Sequence, residues 1–403
     1  MKKRVLFVDD EPNVLRGLQR MLRSQREEWE MAFAGGGEEG LALMEQERFD
    51  VVVSDLRMPG MDGAEFLTAV MRRYPNVVRL ILSGHSQWEL IMKSLGPAHQ
   101  YLTKPCDADQ LKAAVTQAFA LRELLADPNL RALVARMDTL PSLPALYQKI
   151  LAALRSPDAS CRTVGEIVSQ DPAMAAKVLQ LVNSAFFGVG QHVSKPAQAV
   201  ALLGLDTIRS LVLSVHVFSE LDPRQVNALS LDVLWAHCLT VGTLAKRIAQ
   251  TEVEDPKLWD DALLAGLLHD IGNLVLAVNL PEEYRAVRER ADDGEVDLLA
   301  AQRQVFGATH AEIGAYLLGL WALPDPIVEA VAFHHQPSRC QHRGFSPLTA
   351  VHAANCLCSF SGEGGTEQDR AFDVNYLTAL GLADKVPTWR ELYEPLRELT
   401  VER

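Results

Sequence analysis

Polar residues whose types and spacing could support chemistry occur in two sets along this 403-residue chain. The larger set lies in the second half, where an adjacent histidine–aspartate pair occurs in the apolar run LLAGLLHDIGN. Its members are His237, His269, Asp270, His310, His334 and His335. Imidazoles and carboxylates from several helices of a bundle can converge on one or two metal ions, and such a metal can activate water against a phosphodiester. A single histidine on an apolar helix is more often a core residue, so this prediction depends on the whole ordered set.

The smaller set lies in the first 120 residues, where four strand-like segments end in polar residues. These ends are Asp9, Asp10 and Glu11 after the first segment, Asp55 after the third, Ser83 after the fourth and Lys104 after the fifth. Clustered carboxylates repel one another unless a hard cation such as Mg²⁺ lies between them. A lysine opposite them would offset negative charge arriving on a carboxylate, and a hydroxyl would donate a hydrogen bond to it. The set predicts a site for phosphorylating an aspartate; the alternative is a group of solvated loop acids and a core lysine.

The elements that must position the smaller set alternate between two patterns. Short apolar runs (RVLFVDD, WEMAFAG, DVVVSDL, VRLILSGH and QYLTKP) alternate with segments of helical periodicity. Five strands alternating with five helices predict an α/β fold with a doubly wound, five-stranded parallel sheet. The carboxyl ends of parallel strands meet in one crevice, which is where the polar residues are expected.

The elements that position the larger set are helical. After about residue 120 the strand pattern stops, and helices of about 10 to 18 residues follow, separated by proline and glycine. We therefore expect an all-α domain after the sheet. The predicted boundaries are 1–120 for the α/β domain, 121–137 for a helical connector, 138–335 for the helical domain and 336–403 for a helical C-terminal extension. Asp171 is predicted to cap a helix that has Pro172 at its first position.

Residues 1–120 closely resemble the receiver domain of two-component response regulators. The motifs VDDE, DLRMPGMDG, LSGH and YLTKP stand in the order and approximate spacing of that family. The resemblance implies that Asp55 accepts a phosphoryl group from a histidine kinase. It implies that Asp10, Asp55 and the backbone carbonyl of Arg57 bind Mg²⁺ directly, and that Asp9 assists through water.

The same resemblance implies roles for three further residues. Lys104 and Ser83 would contact the phosphoryl group, and Tyr101 matches the aromatic residue that moves inward when Ser83 engages the phosphate. The alternative for Tyr101 is an ordinary strand aromatic covering the sheet edge.

The ordered histidine set resembles the HD superfamily of metal-dependent phosphohydrolases, in particular the bacterial branch that degrades cyclic dinucleotides. The resemblance implies a transition metal such as Fe or Mn. The chain departs from the active enzymes at three places. Asn273 stands where they have a lysine, HHQPSRCQHRGFSP lacks their glycine-tyrosine-proline loop, and Asn355 stands where their last ligand is an aspartate.

The phrases DPAMAAKVLQLVNSAFFG and AVALLGLD closely resemble the HDOD domain, an HD-related output domain of bacterial signalling proteins. These domains are generally noncatalytic, although they usually retain fewer of the HD histidines than this chain. The resemblance favours a phosphorylation-controlled module that binds another signalling protein or a second copy of itself through its receiver or HDOD surfaces. The alternative is a phosphorylation-regulated phosphodiesterase acting on a cyclic dinucleotide or nucleotide.

The formal net charge of −13 argues against broad nucleic-acid binding, which requires basic surface. With no basic recognition helix in evidence, a transcription factor is the weakest of the three hypotheses. No apolar run is expected to reach the length of a membrane span, and the basic tip MKKR is followed too soon by acids to be a signal peptide. These features predict a cytoplasmic protein with neither a membrane nor a nucleic-acid partner.

Overall fold

The structure is a computed structural model. It describes residues 3–83, 98–104, 106–124, 127–135, 140–142, 149–150, 152–154, 156, 159–183, 193–205, 208, 218–220, 231–292, 296–321, 323–340, 342–359 and 372–401. The predicted helix QWELIMKSLG, Pro105 and parts of the connector lie outside these ranges.

The first part of the chain forms the predicted parallel sheet. Its strands are β1 (Lys3–Val8), β2 (Trp29–Ala34), β3 (Val51–Asp55), β4 (Val78–Ser83) and β5 (Gln100–Thr103). They are all parallel and lie in the order β2-β1-β3-β4-β5. Every residue of the central strand β3 is buried, as expected for a strand covered on both faces. The predicted doubly wound α/β fold is confirmed.

Helices follow the strands and cover the sheet. They are α1 (Pro12–Met21), α2 (Gly37–Gln46), α3 (Gly63–Arg73) and α4 (Ala108–Leu124). At the start of α3, Asp62 and Glu65 form a reciprocal capping box, which fixes the loop that leads from β3 and Asp55 into this helix.

The second part is helical, as predicted. Its helices in the described ranges are α5 (Pro128–Ala135), α6 (Cys161–Val168), α7 (Pro172–Asn183), α8 (Pro196–Leu203), α9 (Leu231–Glu252), α10 (Pro256–Leu268), α11 (Ile271–Asn279), α12 (Pro281–Asp292), α13 (Leu298–Phe306), α14 (His310–Leu320), α15 (Asp325–Phe333), α16 (Pro347–Ser359), α17 (Val374–Ala379) and α18 (Val386–Val401). One difference is a short parallel pair, β6 (Leu140–Ser142) with β7 (Phe218–Glu220). Three residues are too few to give a recognisable strand periodicity.

The helix α7 begins as the sequence predicts. Its N-terminal aspartate Asp171 accepts hydrogen bonds from the backbone N–H groups of Ala173 (2.8 Å) and Met174 (3.1 Å), and Pro172 occupies the first helical position. This confirms the capping prediction.

The expectation about apolar runs needs correction. The stretch Pro256–Asn279, which comprises α10 and α11, is long and apolar enough for a membrane span by length and composition. However, 83% of its most apolar window is buried inside the protein. The stretch is a pair of core helices, and its central turn contains His269 and Asp270.

The two parts of the chain contact each other along the β4–β5 edge of the sheet, where α4 packs against α14. Among the described residues, three glutamine side chains donate hydrogen bonds across this boundary. Gln100 Nε2 donates to the carbonyl of Gly319 (3.3 Å), Gln117 Nε2 to Asp325 Oδ1 (3.2 Å) and Gln180 Nε2 to the carbonyl of His99 (3.3 Å). The receiver-like part therefore touches α14, the helix that begins at His310.

The connector helix α5 is attached to the same edge. The carbonyl of Ala135, its last residue, accepts hydrogen bonds from Arg79 Nη2 (2.5 Å) and His99 Nε2 (3.0 Å). Arg79 is completely buried, and this burial lowers the pKa of its guanidinium to about 9. A buried cation that hydrogen-bonds a helix C-terminus also complements the negative end of the helix dipole.

Candidate functional sites

The carboxylate–lysine cluster at the carboxyl ends of β1, β3 and β5 brings together four of the predicted residues. Asp9, Asp10 and Asp55 each have a carboxylate oxygen within 4.8 Å of the other two. Lys104 Nζ lies 2.6 Å from Asp9 Oδ2 and 2.8 Å from Asp55 Oδ1. The three converging carboxylates are an oxygen donor set that suits Mg²⁺, and the Lys104 ammonium offsets part of their negative charge.

Burial and charge act together on this cluster. Burial raises the pKa of the Asp55 carboxyl above its ordinary value, and the hydrogen bond and charge of Lys104 offset only part of that shift. Burial alone would lower the pKa of Lys104, but its hydrogen bonds to Asp55 and Asp9 outweigh burial and raise it. Lys104 is therefore a cation held in contact with Asp55.

The remaining predicted residues of this site have the following positions. Arg57 lies two residues after Asp55, between β3 and α3, with its side chain exposed. Ser83 is the last residue of β4, and its side chain lies outside the described part of the structure. Tyr101 lies on β5 opposite Ile81 of β4, with its side chain buried. Tyr101 is also close enough to Arg79 to affect its pKa electrostatically.

The histidine–aspartate centre is positioned by two unusually close helix crossings. A Cβ atom on Gly266 would lie 2.6 Å from Gly242 Cα, so α9 and α10 meet at these glycines. A Cβ on Gly272 would lie 2.0 Å from the carbonyl oxygen of His310, so α11 meets the start of α14. Only glycine permits either approach, and the crossings bring residues from distant parts of the sequence to Asp270.

The two oxygens of the Asp270 carboxylate face different imidazoles. Oδ1 lies 3.0 Å from His310 Nε2 and 4.0 Å from His334 Nε2. Oδ2 lies 3.5 Å from His269 Nε2 and 3.9 Å from His237 Nε2. The donor atoms thus form two groups that share Asp270.

The members of these groups are His310, His334 and His335 with Asp270 in one, and His237 and His269 with Asp270 in the other. The structure therefore brings together all six predicted histidine and aspartate residues. It places the seventh predicted residue, Asn355, beside them, with its Oδ1 3.1 Å from His237 Nε2.

Several imidazoles are held with Nε2 directed inward. The Nδ1 atoms of His269 and His334 each lie 2.8 Å from a backbone carbonyl three residues earlier, Gly266 and Val331 respectively, and donate to it. Their Nε2 atoms are therefore unprotonated acceptors. Both Nε2 atoms are buried without a hydrogen-bond partner. Buried acceptors without partners are costly, and a coordinated cation is one way to satisfy them.

The electrostatics of the centre favour the ligand forms of these groups. Burial lowers the pKa of His269 to about 4 and places the pKa of His334 and His335 well below the ordinary value, with neighbouring imidazoles adding to the effect. Burial would raise the pKa of Asp270, but the imidazoles around it lower it well below the usual range. Neutral imidazoles around a carboxylate are a donor set that fits a transition metal such as Fe or Mn.

Three neighbours of the centre were not identified as contributors from sequence. Gln302 and Asn273 form a buried chain of hydrogen bonds to His310, with each step 3.0 Å or less. His352 Nδ1 donates to the carbonyl of His334 (2.7 Å), while its Nε2 accepts from the backbone N–H of Asp373 (2.9 Å). His352 therefore supports the backbone of His334. A glutamine five residues before the GATH segment was the only sequence signal available for Gln302.

The chain matches two family models. One is the response regulator receiver domain over residues 5–116, and the other is the HDOD domain over residues 140–337.

Known proteins show partial similarity. The chain is 29% identical over 237 residues to an uncharacterized protein of Treponema pallidum, covering 58% of this chain and 45% of that protein. It is 34% identical over 154 residues to the hydrogenase transcriptional regulatory protein HoxA of Cupriavidus necator, covering 38% of this chain and 30% of that one. The chain thus spans less than half the length of either relative.

Among solved structures, the MmoQ response regulator of Methylococcus capsulatus is 23% identical, with a TM-score of 0.49 over 64% of this chain and 98% of that one. The two family matches identify the chain. Receiver domains generally bind Mg²⁺, and HD-type domains generally bind metals. On the two family models alone, the chain is a response regulator with phosphorylation-dependent signalling that joins a receiver domain to an HDOD domain.

Proposed function

We propose that Asp55 accepts a phosphoryl group from a cognate histidine kinase, and that this modification controls a metal-holding HDOD output domain that acts by contacting another protein. The observation that carries the output half is the convergence of five histidines on Asp270, with the Nε2 atoms of His269 and His334 buried and unpartnered.

In the receiver domain, Asp10, Asp55 and the carbonyl of Arg57 would hold Mg²⁺, with Asp9 assisting through water. Bound Mg²⁺ would neutralise charge on the transferred phosphoryl group. Lys104 contacts both Asp9 and Asp55. It is therefore positioned to donate a hydrogen bond to a phosphoryl oxygen when negative charge builds up on Asp55. Its ammonium can exchange one carboxylate contact for a phosphoryl contact without leaving the site.

The switch residues proposed for the receiver are Ser83 and Tyr101. Ser83 ends β4 next to the phosphorylation site, and its hydroxyl would contact the phosphoryl group. Tyr101 lies on the neighbouring strand at the edge that faces the HDOD domain. Gln100 adjoins Tyr101 and donates a hydrogen bond to the carbonyl of Gly319. A shift of these two strands would therefore change this hydrogen bond at the boundary between the domains.

The HDOD domain would receive the signal through α14. This helix begins at His310 in the histidine–aspartate centre, and its Gly319 accepts the hydrogen bond from Gln100 of the receiver. A displacement of one end of a rigid helix moves the other end, so the receiver can bias the geometry at Asp270. The domain boundaries proposed for this relay are 1–120, 121–137, 138–335 and 336–403.

The metal proposed for the centre is Fe or Mn. When bound, it would act as a Lewis acid and bind water or an anion. The chain's own residues hold it: imidazole Nε2 atoms and the two oxygens of Asp270 supply the donors. The two Asp270 oxygens face different imidazoles, so each oxygen would act with its own group of imidazole donors.

Phosphoryl transfer is tested with Asp55→Asn and a small phosphodonor such as acetyl phosphate in Mg²⁺, followed by intact mass measurement. We expect the native chain to gain one phosphoryl group and Asp55→Asn to gain none. Asp62→Asn is the matched control, because asparagine can still cap α3 there. Uptake by Asp55→Asn equal to that of the native chain would remove the assignment. Replacing acetyl phosphate with purified, phosphorylated candidate histidine kinases then identifies the physiological donor.

Metal binding is tested by elemental analysis of the purified full chain and of two histidine variants. His334→Ala removes a buried donor of the centre, whereas His342→Ala removes an exposed histidine outside it. We expect Fe or Mn to be retained by the native chain and by His342→Ala, and to be lost from His334→Ala. Equal metal content in all three proteins would contradict the proposed site.

A second candidate function, phosphodiester hydrolysis, is favoured by the sharing of Asp270 between two donor groups. Two adjacent metals are a common arrangement in phosphate-ester hydrolases. Asn273 is engaged with Gln302, and Asn355 is the neutral amide beside His237, so neither supplies a charged group toward a substrate. Incubation of the Fe- or Mn-loaded chain with a cyclic dinucleotide tests the candidate: product formation abolished by His334→Ala supports hydrolysis, and no product removes it.

The proposed partners are the histidine kinase and either another signalling protein or a second copy of the chain. The signalling protein or second copy would bind the receiver or HDOD surface of this chain. We propose a cytoplasmic location without a nucleic-acid or membrane partner. The net charge of −13 supports the exclusion of nucleic acid, because polyanion binding depends on basic surface.

A further inference from the structure

We infer that Gln302, itself held by Asn273, is the positioning residue that sets the tautomer and the orientation of His310 in the histidine–aspartate centre. The inference rests on the proposed metal site, which it deepens by naming how one of its ligands is prepared.

The hydrogen-bond geometry is closed and buried. Gln302 Oε1 accepts from the backbone N–H of His310 (2.9 Å) and from its ring Nδ1 (2.8 Å). Gln302 Nε2 donates to Asn273 Oδ1 (3.0 Å). Gln302 is fully buried, and Asn273 and His310 are 4% and 1% exposed, so water does not compete for these bonds.

The orientation of the Gln302 amide follows from chemistry. The backbone N–H of His310 can only donate, so the atom of Gln302 that faces it must be the carbonyl oxygen. That same oxygen faces Nδ1 of the His310 ring, which must therefore carry the ring proton. The Asn273 oxygen receives the amide N–H on the other side and prevents a flip of Gln302.

The consequence appears at the opposite side of the ring. With the proton on Nδ1, a neutral His310 presents an unprotonated Nε2, which lies 3.0 Å from Asp270 Oδ1 and 3.0 Å from His335 Nε2. A lone pair that faces a carboxylate oxygen at this distance is repulsive unless a cation or an added proton lies there. Gln302 thus directs a metal-binding lone pair into the centre.

The position of His310 in its helix explains why a side chain has this role. His269 and His334 follow the ends of α10 and α15, so each finds a helical carbonyl three residues earlier for its Nδ1–H. His310 is the first residue of α14 and follows the N-cap Thr309, so no helical turn precedes it. Its Nδ1–H requires an acceptor from elsewhere, and α13 supplies Gln302.

The test compares Gln302→Leu, which removes the acceptor, with Gln302→Glu, which keeps an acceptor oxygen and lets the Asn273 amide turn to donate. The matched control is Gln304→Leu, an exposed glutamine on the same helix. Mn²⁺ affinity is measured on the full chain in saturating Mg²⁺. We expect Gln302→Leu to bind Mn²⁺ about 10- to 100-fold more weakly, and Gln302→Glu and Gln304→Leu to bind as tightly as the native chain or tighter.

A second readout does not depend on metal. Nitrogen-15 NMR of histidine-labelled, metal-free chain reports the tautomer of His310, and we expect Nδ1–H in the native chain and in Gln302→Glu. Asn273→Ala, a milder change, should broaden or shift this signal toward the other tautomer. If the native chain binds no metal but shows Nδ1–H, the proposed metal function falls and the positioning role stands.

Two results would overturn the inference itself. One is an Nε2–H tautomer of His310 in the native chain. The other is an equal loss of Mn²⁺ affinity in Gln302→Leu and Gln302→Glu, measured in variants whose urea unfolding midpoints are equal. Only Gln302→Glu keeps an acceptor oxygen, so equal losses would mean that the oxygen does not matter and that Gln302 acts through packing alone.

Discussion

Phosphorylation of Asp55 is expected to change the metal affinity of the centre at Asp270, although the two sites belong to different domains. The perturbation acts on the boundary where Gln100 donates to the carbonyl of Gly319 and Gln117 donates to Asp325. Both acceptors belong to or adjoin the helices that carry His310 and His334. A change in the receiver that alters these bonds therefore alters the support of two proposed ligands.

The magnitude follows from the number of bonds. A typical hydrogen bond contributes about 0.5–1.5 kcal/mol net, so two such bonds bound the coupling free energy at about 1–3 kcal/mol. That range corresponds to about a 5- to 150-fold change in the metal dissociation constant. By linkage, metal binding must change the equilibrium for phosphoryl uptake by the same factor.

The assay measures Mn²⁺ dissociation constants in saturating Mg²⁺, with and without beryllium fluoride as the phosphoryl analogue on Asp55. The double variant Gln100→Ala/Gln117→Ala should bind Mn²⁺ more weakly and lose most of the response to beryllium fluoride. Gln170→Ala, an exposed glutamine of the HDOD domain, is the control and should respond as the native chain does. Dissociation constants that agree within about two-fold with and without the analogue would refute the reasoning.

Three further outcomes are expected. Gly272→Ala should destabilise the helical domain by about 1–3 kcal/mol in urea unfolding, because its Cβ would lie 2.0 Å from the His310 carbonyl oxygen. The control Gly17→Ala, which places a Cβ in open space on α1, should be neutral or stabilising. Asp171→Ala should cost about 0.5–2 kcal/mol by loss of the α7 cap, measured in the same way, and Asp171→Asn should cost less. Chelation of the bound metal should lower the thermal midpoint, by an amount equivalent to about 2.7 kcal/mol if the metal had been present at 100 times its dissociation constant. An unchanged urea midpoint in Gly272→Ala or Asp171→Ala would contradict the stabilising role given to that contact, and an unchanged thermal midpoint after chelation would contradict the proposed metal.

The receiver fold was predictable from sequence because its signals are local and repeated. Each strand is a short apolar run that ends in a polar residue, and the parallel arrangement fixes those ends at one edge. The approach of Lys104 to Asp55 follows from that topology alone. The side chain of Ser83 and the helix after it lie outside the described residues, so that part of the prediction stays a prediction.

The histidine–aspartate centre was predictable in its members but not in its geometry. The order of histidines along the chain suggested convergence, and the helical fold supports it. The close crossings at Gly266 and Gly272 could not be predicted, because an interior helical glycine in a sequence gives no indication of which helix it meets. The role of Gln302 depends on His310 being the first residue of its helix, a boundary that sequence periodicity locates only to within a few residues.

The boundary between the domains was the least accessible feature. The sequence predicts a helical connector between the two domains but no other link, whereas the structure adds a direct contact between β5 and α14. Arg79 reads as a polar residue on a strand, and nothing in its neighbours in sequence indicates that it is buried against the end of α5. Contacts between distant segments are set by tertiary packing, and a single sequence carries little information about them.

The central claim, that the HDOD domain holds a metal at Asp270, is tested most directly by anomalous X-ray diffraction from crystals of the full chain at the Fe and Mn absorption edges. We expect an anomalous peak within ligand distance of Asp270 and of the Nε2 atoms of His310 and His334, and its loss in His334→Ala crystals. No anomalous density at this centre in metal-supplemented crystals, with ordered water bonded to the Nε2 atoms, would contradict the claim.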